Sequence, residues 1–246
     1  MRLIFVFIFS VLFFISEAQE KVTFNAADGL QITADLYELN KDKPYILLFH
    51  QAGYSRGEYR QSAEKIVKFG YNCLAVDLRA GGEVNYIQNH TALLAIQQGY
   101  PADYLSSKQD ILAAIKWVKE RSEKPVILFG SSFSASLCLL IAKDNPDVKA
   151  IIAFSPGEFF KPILSIQKEL INLNKPVFAA SSKRENTYVN NVLKSVSSEN
   201  KTIFTPKKGG EHGSKSLWKS NPNNQEYWLA LTMFFSKIRQ IEYSSH

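Results

Sequence analysis

The order of apolar and polar positions along the chain predicts a hairpin followed by alternating strands and helices. Residues 21–39 alternate with a period of two around Ala27-Asp28-Gly29, which is typical of an antiparallel hairpin. Short apolar runs then predict buried strands over residues 45–49, 72–78, 126–129, 148–154, 176–180 and 201–205. Helices are predicted over residues 56–69, 107–121, 187–196 and 224–238, with one more that ends near residue 144 and room for a short one within 159–173.

This alternation predicts an α/β fold, with a mostly parallel twisted sheet and helices on both faces. Residues 83–105 have no clear period, and we expect them to form an irregular excursion over the top of the sheet. No repeat, linker or low-complexity tract divides residues 19–246, so they are predicted to form one domain. Because ligands of such sheets bind at the carboxyl ends of the strands, the residues that follow each strand are the candidates for chemistry.

The most informative stretch is Val126–Ala142, in which a strand passes into a helix through Gly130-Ser131-Ser132-Phe133-Ser134. This layout is typical of a nucleophile elbow, whose strained turn presents a serine oxygen above the sheet. The usual G-x-S-x-G pattern ends in Gly, but here the last position is Ser134. We interpret Ser132 as the nucleophile. Ser131 and Ser134 are the alternatives if the motif is aligned differently on this stretch. A serine-rich segment that only caps a helix is the competing interpretation.

A serine nucleophile needs a base and a third group that orients this base. Of the four histidines, His212 lies in a glycine-flanked loop after the last predicted strand and is the candidate base. His50 is interpreted as a structural residue of the loop after residue 49. The acid is expected between Ser132 and His212 in the chain, and Glu185 fits, with Glu158 as the second choice.

An oxyanion hole needs two backbone donors. One is expected to be the N–H of Phe133, directly after the nucleophile. The second is expected from the loop after residue 49, at Ala52 or Gln51, where Gly53 would let the backbone turn tightly. Removing one donor of this kind typically costs about 2.7–4 kcal/mol of barrier stabilisation.

The N-terminus predicts a signal peptide over residues 1–18. Arg2 precedes thirteen residues that are apolar except for Ser10, and Ser16-Glu17-Ala18 offers small residues for cleavage before Gln19. Thirteen residues are too few to span a bilayer, which needs about 20. We therefore expect an exported protein, periplasmic or secreted, without a membrane anchor after cleavage.

Charge and cysteine content exclude some classes of function. The net charge of +6 is scattered, with no patch for nucleic acid or membrane. We interpret Lys207-Lys208, beside the loop of His212, as a solvated pair, and the alternative is that these lysines favour an anionic substrate. Cys73 and Cys138 lie among apolar neighbours, and whether they form a disulfide stays open. No closely spaced ligand pair indicates a metal, and the glycines around residue 130 lack the spacing of a phosphate loop.

These motifs together resemble the α/β-hydrolase superfamily, in particular dienelactone-hydrolase-like enzymes and small carboxylesterases. The resemblance covers nearly the whole chain after residue 19 and rests on five features: His50-Gln51-Ala52-Gly53, Asp77-Leu78-Arg79 with Gly81-Gly82, the elbow at Gly130–Ala135, Pro176…Glu185 and His212-Gly213. It implies acyl transfer to the serine and hydrolysis by water, with no cofactor. Two departures are Ser134 in place of Gly and a glutamate in place of the commoner aspartate.

The sequence thus leads to three functional hypotheses. The first is an exported serine hydrolase that cleaves small-molecule carboxylic esters through Ser132, His212 and Glu185. No long insertion follows residue 154, so a large lid domain is not expected, and an open cleft favours small or exposed esters. The second is a peptidase or acyltransferase with the same triad. The third is a hydrolase-fold protein that has lost turnover and binds a ligand or a partner.

Overall fold

The computed structural model describes residues 19–196, 199 and 201–244. The predicted signal peptide, residues 1–18, therefore lies outside the described residues. Within them the strands are β1 (Glu20–Asn25), β2 (Gln31–Tyr37), β3 (Tyr45–Phe49), β4 (Asn72–Val76), β5 (Glu83–Val84), β6 (Ile87–Gln88), β7 (Val126–Ser131), β8 (Val148–Phe154), β9 (Val177–Ala180) and β10 (Thr202–Phe204). The α-helices are α1 (Arg60–Val67), α2 (His90–Gln98), α3 (Lys108–Lys119), α4 (Phe133–Asp144), α5 (Ile166–Glu169), α6 (Asn186–Val192) and α7 (Asn224–Ser244).

Eight strands form one sheet in the order β1-β2-β4-β3-β7-β8-β9-β10. The N-terminal hairpin pairs antiparallel, and β2 also runs antiparallel to β4, while the pairs from β4 to β10 are parallel. The predicted hairpin and mostly parallel sheet are thereby confirmed. All parallel strands end at the same edge of the sheet, which brings the loops after β3, β7, β8, β9 and β10 together.

The core consists of two apolar layers, one on each face of the sheet. Helices α2 to α6 contribute to one layer, and α1 and α7 to the other. Successive residues of β3 alternate between them: Leu47 belongs to the first layer, and Ile46 and Leu48 to the second. A strand that is covered on both faces has no polar face, which is why these strands appear in the sequence as continuous apolar runs.

The prediction of an irregular segment over residues 83–105 was wrong. It contains the short hairpin β5–β6 and the helix α2. The side chain of Asn89 accepts from the N–H of Ala92 at 2.8 Å and caps the start of α2, and Gly99 ends it with φ 74°. Ile96 is 69% exposed, and this apolar residue on the solvent side obscures the helical period.

Both cysteines are buried free thiols. Cys73 belongs to the layer under α1 and α7, and Cys138 to the opposite layer, so the sheet separates them. No described helix is long and apolar enough to cross a membrane. Between β8 and β9, residues 155–176 carry only the four-residue helix α5, in agreement with the expectation that no large lid interrupts the domain.

Candidate active site

The turn between β7 and α4 has the strained geometry of a nucleophile elbow. Ser132 lies between the two elements with φ 61° and ψ −121°, a conformation that costs free energy in a residue other than glycine. A Cβ atom at Gly130 would lie 2.4 Å from the Cα of Ala135, so the chain can turn here only with glycine at this position. The elbow thus holds Ser132 at the carboxyl end of the central strand.

Ser132, His212 and Glu185 form a continuous chain of hydrogen bonds. The Oγ of Ser132 lies 2.8 Å from Nε2 of His212, and Nδ1 of His212 is hydrogen-bonded to Oε1 of Glu185. This network places the ring proton on Nδ1 and leaves Nε2 as the acceptor for the serine hydroxyl. The His212 side chain is 43% exposed, whereas Ser132 is only 4% exposed, so the serine lies at the base of an open site.

Two serines support the carboxylate of Glu185. The hydroxyl of Ser155, after β8, donates to Oε2 at 2.9 Å and accepts from the N–H of Gly213 at 2.9 Å. Ser182, after β9, donates to Oε2 from its hydroxyl at 2.8 Å and from its backbone at 3.0 Å. Partial burial raises the pKa of Glu185, but the hydrogen bonds from His212 and Ser182 outweigh it and bring the pKa to about 2. Glu185 is therefore ionised.

The other candidate acid lies elsewhere. The carboxylate of Glu158 accepts from the backbone N–H groups of Ile166 at 2.8 Å and Gln167 at 3.0 Å, and from the hydroxyl of Ser165 at 3.0 Å. These contacts hold the first turn of α5, where a negative charge is favourable. Of the two predicted acids, the structure joins Glu185 to His212.

His50 is an internal structural residue, as interpreted from the sequence. It is fully buried, Nδ1 donates to the carbonyl of Gln51 at 2.8 Å, and Nε2 accepts from the N–H of Leu78 at 2.8 Å. Burial lowers the pKa of His50 to about 4, so the ring is neutral at physiological pH. These bonds join the ends of β3 and β4 and fix the loop that carries Ala52.

The structure distinguishes the two predicted oxyanion donors of this loop. The N–H of Gln51 donates to Oε2 of Glu58 at 2.7 Å, so it is not free to bind an oxyanion. The N–H groups of Ala52 and Phe133 have no acceptor among the described residues. Gln51 is therefore corrected to a structural role, and Ala52 and Phe133 are the candidate pair.

Ser134 forms hydrogen bonds that the glycine of the usual pattern would lack. Its hydroxyl donates to the carbonyl of Phe49 at 2.7 Å and accepts from the N–H of Ser131 at 2.9 Å. The side chain is fully buried and links the elbow to the end of β3. The departure from the pattern is thus compatible with the elbow and adds a cross-link to it.

Three residues of the site were not predicted. Ser155 and Ser182 directly follow β8 and β9, so the rule that strand ends converge at one edge could have found them. Glu58 falls within the predicted helix 56–69 without a role of its own, but it is fully buried in the turn before α1. No local pattern distinguishes it, because its partners come from distant loops. Among the described residues, no group of histidine, cysteine and carboxylate side chains could hold a metal ion.

Several proteins of known structure are similar to this chain. No curated protein sequence matches the chain. The dienelactone hydrolase of Anabaena variabilis is similar in structure, with 16% identity, a TM-score of 0.68 and coverage of 89% of this chain and 97% of the other. The esterase Pf2001 of Pyrococcus furiosus gives 17% identity, a TM-score of 0.70 and coverage of 89% and 92%. An acylaminoacyl peptidase of Pyrococcus horikoshii gives 17% identity, a TM-score of 0.65 and coverage of 89% and 41%.

At these identities the similarities establish the α/β-hydrolase fold. The sequence itself matches the model of the dienelactone hydrolase family over residues 32–203, which is more than half of the chain. This match runs from β2 through the elbow and the loop of Glu185 to β10. The chain belongs to the dienelactone hydrolase family.

Proposed function

We propose that this protein is an exported serine hydrolase that cleaves carboxylic esters through an acyl-enzyme on Ser132. The family supports a hydrolase function. The observation that carries the serine mechanism is the unbroken hydrogen-bonded chain from Ser132 through His212 to Glu185. A base that lies within hydrogen-bond reach of the nucleophile and is itself oriented by a carboxylate is what activation of a hydroxyl requires.

Acylation follows from this geometry. The Oγ of Ser132 attacks the ester carbonyl carbon while Nε2 of His212 accepts its proton. The carbonyl oxygen becomes an oxyanion, and the free N–H groups of Phe133 and Ala52 stabilise it. Glu185 stabilises the imidazolium without taking its proton. The intermediate collapses, and the alcohol leaves with the proton from His212.

Deacylation repeats these steps with water. His212 accepts a proton from a water molecule that attacks the acyl carbon, and the same two donors bind the second oxyanion. Collapse of this intermediate breaks the bond to Ser132, whose oxygen recovers the proton from His212. The acid product leaves and the enzyme returns to its starting state, with no cofactor in the cycle.

The substrate is proposed to be a small or exposed ester. The exposure of His212 and the short connection between β8 and β9 leave the approach to Ser132 without a large cover in the described part of the chain. Such a site does not enclose a long acyl chain. Strong hydrolysis of long-chain triglycerides without hydrolysis of acetyl esters would contradict this proposal.

Export is proposed from the N-terminal sequence alone. The mature protein would begin near Gln19, directly before β1. N-terminal sequencing of the protein from its native host tests this point, and a mature chain that begins at Met1 would contradict it.

The experiment that tests the activity is hydrolysis of p-nitrophenyl acetate, butyrate and laurate by protein that begins at Gln19. We expect turnover that is fastest on the short esters and falls by about 10⁴-fold or more in Ser132→Ala. Ser236→Ala is the matched control, because Ser236 is exposed on α7 and its hydroxyl contacts only the backbone of its own helix. A folded wild type that hydrolyses none of the esters but cleaves an acyl-peptide would favour the peptidase alternative.

A further inference from the structure

One buried carboxylate lies beneath the three loops that carry the proposed chemistry. Glu58 is part of the 3-10 turn Arg56–Tyr59, and its side chain is fully buried. The indole N–H of Trp218 donates to its backbone carbonyl at 2.8 Å and holds the turn in place. The proposed reaction does not use this carboxylate, and so its burial needs another explanation.

Glu58 accepts three hydrogen bonds from three separate loops. Its Oε1 accepts from the hydroxyls of Ser131 at 2.7 Å and Ser214 at 2.6 Å. Its Oε2 accepts from the backbone N–H of Gln51 at 2.7 Å. The backbone N–H of Ser214 also donates to the Oγ of Ser131 at 2.9 Å, which closes the cluster. The donors match an ionised carboxylate, which accepts only.

Each partner of Glu58 lies next to a group with a proposed role. Ser131 precedes Ser132 in the elbow, and Ser214 follows His212 after one residue. Gln51 precedes Ala52, the candidate oxyanion donor. One side chain therefore fixes the backbone beside the nucleophile, the base and the oxyanion donor at the same time.

The charge of Glu58 has no ordinary counterion. Burial raises the pKa of Glu58, and the hydrogen bonds from Ser214, Gln51 and Ser131 act against that effect. The titratable groups that interact with it through space are Tyr59, His212 and Lys215. In the described residues no lysine or arginine forms an ion pair with it.

A second buried carboxylate shows the contrast. Asp110 is also fully buried, but it pairs with Arg79 at 2.8 Å. Burying an unpaired charge is costly, and an apolar side chain of similar volume would fill such a space at lower cost. The buried charge of Glu58 thus lowers the stability of the fold, while its hydrogen bonds align the three loops.

We propose that Glu58 is a positioning residue for the hydrolysis: it holds the loops of Ser132, His212 and Ala52 in register. This inference rests on the proposed function and deepens it. It assigns Glu58 no contact with substrate, so its loss should change turnover far more than substrate binding.

The test is the variant Glu58→Gln, which keeps the size of the side chain and removes the charge and one acceptor. We expect kcat on p-nitrophenyl acetate to fall about 10- to 100-fold while KM stays within twofold, because small displacements of reacting groups have effects of this size. The rate of fluorophosphonate labelling should fall in parallel with kcat.

Asp110→Asn is the matched control, because it neutralises a buried carboxylate away from the three loops. It should lower the unfolding midpoint and leave kcat unchanged. If Glu58→Gln does not fold, Ser214→Ala takes its place. This variant removes the hydroxyl that donates to Oε1 of Glu58 and keeps the carboxylate. Its kcat should fall several-fold. An unchanged kcat in Ser214→Ala would then overturn the inference.

The outcomes separate this inference from the proposed function. A labelled wild type whose folded Glu58→Gln variant retains the same kcat overturns the inference alone. An equal fall of kcat in Asp110→Asn also overturns it, because the effect would then be general. A folded wild type that is neither labelled nor active on esters overturns the proposed function, and the role of Glu58 with it.

Discussion

The Oγ of Ser132 lies 2.8 Å from Nε2 of His212, although the two residues are 80 positions apart in the chain. Ser132 is fixed by the elbow at the end of β7, and His212 by the loop after β10. Both loops leave the same edge of one sheet, so the rigid frame sets this distance.

The first prediction concerns the acid. Glu185→Gln keeps the shape of the side chain but removes the charge that fixes the ring tautomer of His212 and stabilises its protonated form. We expect kcat for ester hydrolysis to fall by about 10³- to 10⁴-fold. Steady-state kinetics measure this loss.

Glu158→Gln is the control for this experiment, because Glu158 holds the first turn of α5 and does not contact His212. Its kcat should stay within about twofold of the wild type, as for other substitutions away from reacting groups. Equal losses in the two variants would contradict the assignment of Glu185.

The second prediction concerns the approach of the histidine loop to the elbow. A Cβ atom at Gly213 would lie 2.5 Å from the Oγ of Ser131, and Gly213 also has φ 74°. Gly213→Ala should therefore displace the loop of His212 and lower kcat by about 10- to 100-fold.

Gly99→Ala is the control for placing a side chain on a residue with positive φ away from the site. Gly99 has the same φ of 74° but nothing within 4 Å of its Cβ position. Gly99→Ala should lose about 1–2 kcal/mol of unfolding free energy from its left-handed backbone and should retain its kcat. Gly213→Ala should lose more, because Gly213 has ψ −169°, in a region that essentially only glycine adopts. Denaturant unfolding and kinetics of both variants test this, and a wild-type kcat in Gly213→Ala would contradict the packing argument.

The third prediction concerns the departure from the usual elbow pattern. Ser134→Gly restores the glycine but removes the hydrogen bonds to Phe49 and Ser131. We expect the free energy of unfolding to fall by about 1–3 kcal/mol, from the lost hydrogen bonds and the added flexibility of a helical glycine. Ser134→Ala removes only the hydroxyl and should lose about 1 kcal/mol. Stabilisation by Ser134→Gly would show that the hydroxyl carries no stability.

The fourth prediction is a pH dependence of stability. The pKa of His50 is lowered from 6.5 to about 4 by burial. The unfolded chain therefore binds more protons between pH 6.5 and 4, so the contribution of His50 is complete above pH 6.5 and is lost as the pH falls to 4. The loss is about 3 kcal/mol, from the difference between the two pKa values.

His50→Gln isolates this contribution. Burial raises the pKa of Asp77 and of Asp110 to about 6, and these two groups act in the opposite sense as the pH falls. Wild type and His50→Gln should therefore be unfolded with denaturant side by side at pH 7.5, 5.5 and 4.5. The stability advantage of the wild type should shrink toward acid pH, and a constant difference would contradict the buried neutral ring.

Much of the fold and the triad geometry follows from local sequence rules. Buried parallel strands appear in the sequence as apolar runs. Because the carboxyl ends of such strands converge at one edge of the sheet, the sequence predicts that Ser132, Glu185 and His212 lie close together. Helix α2 was missed because Leu93 and Ile96 expose apolar side chains and blur the helical period. The Asn89 cap and Gly99 were signals in the sequence that could have located it.

Glu58 could not be found in this way. Its partners Ser131 and Ser214 lie 73 and 156 positions away, so only the assembled fold makes this carboxylate an internal residue. The sequence also could not decide whether Ala52 or Gln51 supplies the second oxyanion donor. That choice depends on the hydrogen bond from the N–H of Gln51 to Glu58, which only the folded chain shows. Local periodicity carries no information on contacts of this range.

The most direct test of the central claim is covalent labelling of the purified protein with a fluorophosphonate, followed by mass spectrometry of the labelled peptide. We expect a single label on Ser132 that is lost in Ser132→Ala and nearly lost in His212→Ala, because the hydroxyl is activated only beside its base. A folded wild type without label, or with the label on Ser131 or Ser134, would contradict the assignment of Ser132 as the activated nucleophile.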